Sequence, residues 1–197
     1  MEETGIPNPS SETMNNTIIS SELREQVRQA REAYLQLANL GTESKNQVLH
    51  AFAKALRANT SKILEANALD VVEAEKMVQS RELSESACKR VMLNEAKIEL
   101  MAQNCESVAK LEDPVGQVLQ ATRLDEGLDL YRVSCPIGVV LVIFESRPDV
   151  VVQISALAVK SGNAVILKGG GEAAHATLVI PECSRQPPDD AATSTSI

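Results

Sequence analysis

The chain has 197 residues, of which 44% are apolar and 23% are charged, so its composition is that of a globular protein and excludes an intrinsically disordered one. Its 19 basic and 27 acidic residues give a net charge of -8, which argues against a broad basic surface for nucleic acid or anionic membranes. Two Tyr, two Phe and no Trp disfavour sites that stack bases or sugars on aromatic rings.

The first twenty residues have the composition of neither a secretory signal nor a mitochondrial presequence, because they contain three glutamates and no Lys or Arg. No run in the sequence approaches the roughly 20 apolar residues that cross a bilayer. The four cysteines lie far apart without a Cys-x-x-Cys pair, which predicts reduced thiols and no metal site. We therefore expect a cytoplasmic protein with a disordered leader over 1–20 and with neither a membrane nor a nucleic acid as partner.

Residues 21–112 are predicted to form an N-terminal helical segment, because apolar residues return every three or four positions and so share one face of each helix. Each helix is amphipathic and is expected to pack on the rest. Gly41 ends the first helix, and the fourth, which carries Val91 and Met92, is predicted to run unbroken to the turn at 113–116. The predicted helix starts are Ser20 or Ser21, Thr42 or Ser44, Thr60, and Ser84.

Residues 113–134 predict a β-hairpin. Apolar residues flank the turn at 125–127, which reads Asp-Glu-Gly. Arg123, Asp129 and Arg132 are expected on the wetter face of the hairpin.

Residues 135–180 change to an α/β pattern. Val139–Phe144 is a β-branched run typical of a strand covered on both faces, Pro148 begins a short helix, and Ala164–Leu167 is a second buried strand. This order predicts two parallel strands joined by a right-handed crossover. Residues 181–197 are rich in Pro and small polar residues and are predicted to be a disordered tail.

Two loops could hold a ligand, because open parallel sheets bind ligands beyond the carboxyl ends of their strands. The first loop, 145–149, reads Glu-Ser-Arg-Pro-Asp, and the second, 168–172, reads Lys-Gly-Gly-Gly-Glu. Arg147 and Lys168 are candidate cations for a phosphate, the glycines allow close approach to the backbone, and Glu172 can accept a hydrogen bond from a ribose hydroxyl.

A purely structural interpretation of these loops is equally open. Glu145, Arg147 and Asp149 can form an ordinary ion-pair cluster, and the glycines an ordinary turn. Neither Gly-x-Gly-x-x-Gly nor Gly-x-x-x-x-Gly-Lys-Ser/Thr is present to decide the matter.

The cysteines and histidines indicate no catalytic group. Cys135 lies at the amino end of the first parallel strand, opposite the expected ligand edge, so a structural role is predicted for it. No Ser-His arrangement, carboxylate pair or metal-ligand spacing is found. The remaining residues of these two types are predicted to pack, to lie on the surface or to lie in the tail, and they are Cys88, Cys105, Cys183, His50 and His175.

Two segments nevertheless identify a family. Residues 136–150 read Pro-Ile-Gly-Val-Val-Leu-Val-Ile-Phe-Glu-Ser-Arg-Pro-Asp-Val, and residues 161–170 read Ser-Gly-Asn-Ala-Val-Ile-Leu-Lys-Gly-Gly. Together they closely resemble γ-glutamyl phosphate reductase, also called glutamate-5-semialdehyde dehydrogenase. The resemblance covers roughly residues 21–176 and extends to the reductase half of bifunctional pyrroline-5-carboxylate synthase.

The resemblance implies an α/β, aldehyde-dehydrogenase-like fold: N-terminal helices, an oligomerisation hairpin and the first βαβ unit of a Rossmann-like, NADP-binding domain. The implied activity belongs to proline biosynthesis, where NADPH reduces γ-glutamyl phosphate to glutamate-5-semialdehyde with release of phosphate. In such enzymes a cysteine thiolate displaces the phosphate, and donors hold the oxyanion. The implied enzyme is a homodimer or larger, with the hairpin around 125–127 as its dimerisation segment.

The resemblance also assigns site residues. The loop Glu145 to Pro148 would line the nicotinamide side of the cofactor groove, and Ser146 falls where relatives place an oxyanion-donating Asn. Lys168, with the glycines after it and Glu172, would hold the adenosine ribose and its 2′-phosphate. The residues expected to bind the cofactor are Glu145, Arg147, Pro148, Lys168, Gly169, Gly170 and Glu172.

The chain departs from the family after residue 176, where relatives continue into a catalytic domain that carries the nucleophilic cysteine. None of the four cysteines here matches that position. We therefore expect an N-terminal fragment that is inactive alone and whose two-sided strands expose apolar surface. Two alternatives stay open: a non-catalytic fragment that pairs with full-length enzyme, and one half of a split enzyme.

Overall fold

The computed structural model describes residues 21–185, in which helices and strands succeed one another in the predicted order. The helices are α1 (Ser21–Leu37), α2 (Thr42–Ala58), α3 (Thr60–Gln79), α4 (Glu85–Val91), α5 (Glu95–Ala109), α6 (Pro148–Ser161) and α7 (Ala174–Arg185). The strands are β1 (Val118–Asp125), β2 (Leu128–Val133), β3 (Val139–Ile143) and β4 (Ala164–Lys168). The predicted leader and residues 186–197 of the predicted tail lie outside the described residues.

The helix predicted to run unbroken from Ser84 is two helices, which corrects that prediction. Ser84 caps α4 as expected, since its hydroxyl accepts from the Ala87 N–H at 3.2 Å. The chain then turns extended at Met92, and Asn94 caps α5 by accepting from the N–H of Lys97 at 2.8 Å. Asn94 acts as an N-cap, because its side chain accepts a hydrogen bond from a backbone N–H in the first turn of α5. The apolar spacing continues across 91–101, so it gave no sign of this break.

The buried side chain of Asn67 holds the link between α4 and α5 in place. Its amide donates to the Val91 carbonyl at 2.8 Å and accepts from the Leu93 N–H at 2.7 Å. These two bonds satisfy backbone groups that the interrupted helix leaves unpaired. The link is therefore fixed from α3.

The start of α2 also differs from its prediction. Gly41 precedes the helix without a side-chain cap, and the hydroxyl of Thr42 donates instead to Asp113 at 2.8 Å. Asp113 also pairs with the buried ammonium of Lys45 at 3.0 Å and accepts from the Val115 N–H at 2.9 Å. This carboxylate joins the start of α2 to the turn that ends the helical segment.

The main core lies where α2, α3, α5, α6 and α7 meet. Its residues are fully or nearly fully buried, and they include Leu49, Ala53, Leu56, Ile63, Ile98, Met101, Cys105, Val151, Val152 and Ile180. Phe144 and Leu167, at the ends of β3 and β4, pack against this cluster. The core thus positions the carboxyl ends of both parallel strands.

A buried lysine links three of these helices. The ammonium of Lys160, on α6, donates to the Asn46 side chain at 2.8 Å and to the carbonyl of Ala109 at 2.9 Å. It is only 3% exposed, so these two acceptors replace its lost hydration. Lys160 therefore ties α6 to α2 and to the end of α5.

The α/β part matches the predicted strand–helix–strand unit. β3 and β4 are parallel, with Val139 opposite Ala164 and Ile143 opposite Lys168. Pro148 is the first residue of α6, and Gly162 ends that helix in the left-handed conformation with φ of +71°. A Cβ at Gly162 would lie 3.1 Å from the ring of Pro136, so both backbone and space favour glycine there.

Several apolar surfaces remain uncovered. α1 contacts β4 and β3 but has no buried residue, contrary to the expectation that its apolar face packs. On β3, Leu141 is 59% exposed and Ile143 is 72% exposed, so one face of the small sheet is open. The antiparallel hairpin of β1 and β2 is exposed along its whole length.

The end of the described chain is more ordered than predicted. α7 continues through Arg185, although the disordered tail was expected to begin at Pro181. Pro181 lies inside α7 and removes one helical hydrogen bond, which ordinarily kinks or breaks a helix. Ile180, immediately before it, is fully buried in the main core and anchors this turn.

Candidate functional site

The two predicted ligand loops lie side by side at the carboxyl edge of the parallel pair. The Phe144 N–H donates to the Lys168 carbonyl at 3.1 Å, which continues the ladder one step past the strands. The first loop then leads to α6, while the second passes through a 3₁₀ turn, Gly171–Ala173, to α7. The topology therefore unites the residues predicted from two separate motifs.

Ser146 and Glu172 form the centre of this edge. Both are buried, Ser146 with 3% and Glu172 with 8% of its surface exposed. One carboxylate oxygen of Glu172 accepts from the Ser146 N–H at 2.5 Å and from its hydroxyl at 2.9 Å. Ser146 adopts a left-handed backbone with φ of +50°, which is uncommon for a residue with a side chain and turns its N–H toward Glu172.

The Glu172 carboxylate is stabilised in its ionised form. Burial by itself would raise its pKa, but hydrogen bonds from its own N–H and from Ser146, with the nearby charge of Lys168, hold the pKa below the ordinary value of 4.5. An oxyanion role for Ser146 requires it to leave Glu172, since both of its donors now bond to one carboxylate oxygen, whereas Ser146 does not engage the second oxygen of Glu172.

At two of the three glycines of the second loop, neighbouring side chains fill the space that a Cβ would occupy. A Cβ at Gly169 would lie 3.3 Å from the Phe144 ring, and one at Gly170 would lie 2.1 Å from the Glu172 carboxylate. Gly171, in contrast, faces open space. Side chains of this chain, and not a ligand, therefore lie close to the backbone at Gly169 and Gly170.

The flanking charges of the two loops are differently engaged. Arg147 and Asp149 form an ion pair at 2.9 Å, as in the structural interpretation, while Glu145 is exposed. Lys168 is exposed, and its ammonium donates to the carbonyl of its neighbour Gly169 at 2.8 Å. Among residues 21–185, Lys168 is therefore a surface cation at the ligand edge with no hydrogen bond to a carboxylate.

Asp70, on α3, bonds to the start of α7 at this edge and was not predicted from the sequence as a site residue. It is 1% exposed, and its two oxygens accept from the N–H groups of His175 at 2.9 Å and Ala176 at 2.8 Å. The ring of His175 is 2.9 Å from the same carboxylate. His175, predicted to be a surface or packing residue, thus has a hydrogen-bond partner 105 residues away in the sequence, a separation no local pattern could reveal.

The described cysteines have structural environments. Cys88 and Cys105 are buried as predicted, and Cys135 is exposed at the amino end of β3, away from the ligand edge. Burial raises the pKa of the Cys105 thiol to about 11, so it is protonated at neutral pH. The side chain of Cys183 lies outside the described residues.

A cleft opens next to the first loop, between α4, α5 and the start of α6, with a volume of about 870 Å³. Arg147, Asp149 and Gln153 form one wall, and Lys89 and Arg90 of α4 lie on another. No local sequence pattern reveals this cleft, because its walls come from three distant segments. Arg147, in the first loop, is its member closest in sequence to Ser146.

Residues 21–185 contain neither a cluster of metal ligands nor a membrane-spanning helix. No group of three or more His, Cys, Asp or Glu side chains there could hold a metal ion. Within the same residues no helix is long and apolar enough to span a bilayer.

Comparison with known proteins identifies the fold. The profile of the aldehyde dehydrogenase family matches residues 8–191, beyond both ends of the range over which the resemblance was expected. Among curated proteins, the chain is 49% identical over 159 residues to the γ-glutamyl phosphate reductase of Haloquadratum walsbyi, covering 81% of this chain and 35% of that one. The chain thus spans about a third of the length of such relatives.

Solved structures agree. The γ-glutamyl phosphate reductase of Saccharomyces cerevisiae superimposes with a TM-score of 0.77 and 42% identity, covering 84% of this chain and 41% of that one. The structure of PnpE in complex with nicotinamide adenine dinucleotide superimposes with a TM-score of 0.60 at 18% identity, covering 81% of this chain and 30% of that one, which shows a shared fold.

Proposed function

The chain belongs to the aldehyde dehydrogenase family, and from that premise we propose that it carries the cofactor-edge portion of a γ-glutamyl phosphate reductase. The observation that supports this most is the placement of the Phe-Glu-Ser-Arg-Pro-Asp and Leu-Lys-Gly-Gly motifs side by side at the carboxyl edge of one parallel strand pair. The proposed reaction reduces γ-glutamyl phosphate to glutamate-5-semialdehyde and releases phosphate, as a step of proline biosynthesis.

The proposed cofactor is NADP, which supplies the hydride when bound. Lys168 fits this cofactor, because an exposed ammonium beside the open space at Gly171 can bind the 2′-phosphate that distinguishes NADP from NAD. The second carboxylate oxygen of Glu172, which Ser146 does not engage, fits a ribose hydroxyl. Release of Ser146 from the first oxygen would free its two donors for an oxyanion. Of the other predicted cofactor residues, Glu145 and Pro148 adjoin this pair, and Gly169 and Gly170 shape the turn.

A chimera tests the proposed reaction. Residues 21–176 replace the matching part of the yeast reductase, and phosphate-dependent oxidation of glutamate-5-semialdehyde is followed by the appearance of NADPH. We expect activity within about tenfold of the parent. A folded chimera without activity would overturn the proposal.

Lys168→Ala in that chimera tests the cofactor. Loss of one charge-assisted bond to phosphate is expected to raise KM for NADP by roughly tenfold or more and to leave KM for NAD nearly unchanged. Lys62→Ala, on the surface of α3, is the matched control. Equal effects on both cofactors would refute a 2′-phosphate role.

We propose that the 197-residue chain does not catalyse the reaction by itself, because none of its cysteines matches the nucleophile of the family. Steady turnover by the isolated chain would contradict this. The free thiols of Cys88, Cys105 and Cys135 fit the reducing cytoplasm, which we propose as the location of the chain.

A second candidate function is pairing with another subunit through the hairpin. Every residue of β1 and β2 is exposed, and an isolated two-stranded hairpin is marginally stable in water, so a partner would stabilise it. We propose a homodimer, or a mixed dimer with a full-length or complementary chain. Size-exclusion chromatography of the chain alone and with intact enzyme tests this: elution as a monomer in both cases removes the pairing function.

A further inference from the structure

The outer edge of β3 carries a row of free backbone groups. On β3 the ladder to β4 uses the even-numbered residues, since the carbonyl of Gly138 accepts from β4 at one end and the N–H of Phe144 donates to β4 at the other. Successive residues of a strand turn their N–H and C=O groups to opposite sides, so those of Val139, Leu141 and Ile143 point away from β4. Among residues 21–185 no third strand joins this sheet to accept them.

This edge of β3 is also unprotected. Natural proteins often shield an edge strand with a charge or a proline, but the strand reads Val-Val-Leu-Val-Ile and has neither. Leu141 and Ile143 are exposed, and Ile137, just before the strand, is 85% exposed. The far edge of the sheet differs, because α1 packs along β4 and Lys168 ends that strand. An added strand is therefore expected beside β3.

The free edge of β3 is complementary to itself in the antiparallel orientation. When Leu141 of two copies face each other across a two-fold axis, Val139 of each copy faces Ile143 of the other. Residues that exchange both hydrogen bonds alternate along an antiparallel pair, so this register satisfies every free group of the three residues. The axis is perpendicular to the sheet, which places the exposed side chains of both copies on one face as cross-strand neighbours. A two-fold contact of this kind is closed and gives a dimer.

We propose that the outer edge of β3 binds the same edge of a second copy of this chain, which joins two two-stranded sheets into one. A second copy fits because it supplies an uncharged apolar strand with its own free groups at matching positions. The inference does not depend on the proposed reaction. It also uses a surface different from the hairpin of β1 and β2.

Sedimentation equilibrium of the full 197-residue chain measures this association, and Leu141→Pro tests the edge. Proline there removes an N–H that points away from β4, a position at which edge strands accept proline. We expect a dimer from the native chain and association weakened by at least roughly tenfold in Leu141→Pro. Leu141→Thr is the matched control, since it removes the same side chain but keeps the N–H and favours a strand. It should retain most of the dimer, and circular dichroism melting verifies that both variants fold.

Disulfide cross-linking tests the register in a chain that carries Cys135→Ser and Cys183→Ser. The Cα atoms of two Leu141→Cys residues are expected about 5.5 Å apart, within the range of roughly 4.4–6.8 Å that a disulfide spans. Ile143→Cys is the control, because its two copies lie about 14 Å apart along the strands in this register. Mild oxidation should therefore give a covalent dimer from Leu141→Cys and not from Ile143→Cys.

Three results would overturn the proposal. The first is a native chain that sediments as a monomer. The second is a dimer that a folded Leu141→Pro leaves intact, which would assign pairing to the hairpin or another surface. The third is equal cross-linking of the two cysteine variants, and this comparison decides the matter if Leu141→Pro does not fold. None of these results affects the chimera assay of the reaction, so the two proposals fail separately.

Discussion

Removing the carboxylate of Asp70 tests whether α3 holds the start of α7 at the ligand edge. The side chain is 1% exposed and accepts from the His175 N–H, the His175 ring and the Ala176 N–H at 2.8 to 2.9 Å. Asp70→Ala leaves two first-turn N–H groups without an acceptor. Each hydrogen bond to a charged group contributes about 1.5–3 kcal/mol, so the loss of two backbone bonds is expected to lower the free energy of unfolding by about 3–6 kcal/mol.

Asp70→Asn and Asp129→Ala calibrate this value. Asn keeps one carbonyl oxygen but turns an amide donor toward the second N–H, so an intermediate loss is expected. Asp129 pairs with Arg123 at 3.0 Å on the exposed hairpin, where its removal should change the free energy of unfolding by less than about 1 kcal/mol.

Urea denaturation followed by far-UV circular dichroism measures all three variants, with an unchanged m-value as the condition for comparing them. If Asp70→Ala costs no more than Asp129→Ala, the bonds to α7 contribute nothing net, and the reasoning is refuted.

Three further predictions concern charge, thiols and the open sheet. Because the fold depresses the pKa of Glu172, its stabilising contribution is present above pH 4.5 and is lost as the pH falls through the lower folded value, so Glu172→Gln should show a shallower acid loss of unfolding free energy; parallel curves would contradict it. With the other thiols replaced by serine, Cys135 should react with a maleimide at neutral pH while Cys105, with its pKa of about 11, reacts only on unfolding, and equal labelling rates would disprove this. Leu141→Lys and Ile143→Lys should lower the binding of an apolar dye without lowering Tm, because both side chains lie on the open face of β3. Unchanged dye binding would contradict this prediction.

Local signals were sufficient to predict most elements. The β-branched run over 139–143, the proline at the start of α6 and Gly162 at its end each determine backbone conformation within a few residues. The same kind of signal failed between α4 and α5, where apolar spacing continued across a break. Asn67, more than twenty residues earlier, stabilises that break, so its cause was not local.

The sequence allowed the residues of the candidate site to be named, but it did not predict the hydrogen bonds between them. Ser146 and Glu172 were both named from their motifs, yet their hydrogen bond depends on the two loops meeting at the sheet edge. The structural interpretation of the first loop is confirmed in part, because Arg147 is in the expected ion pair with Asp149. The ligand-binding interpretation of the two loops stays a prediction.

The two buried carboxylates at this edge, Asp70 and Glu172, restrict where a phosphate of the proposed cofactor could bind. Helix N-termini usually offer free N–H groups to phosphate, but Asp70 already occupies those of His175 and Ala176. Glu172 occupies the N–H of Ser146 in the same way. A phosphate that approached either position would meet a carboxylate, and like charges at such distances repel. Lys168 is an exposed cation at this edge whose ammonium bonds to the Gly169 carbonyl. If the proposed cofactor binds here, we expect replacement of Lys168 to change the discrimination between NADP and NAD more strongly than any change at the start of α7.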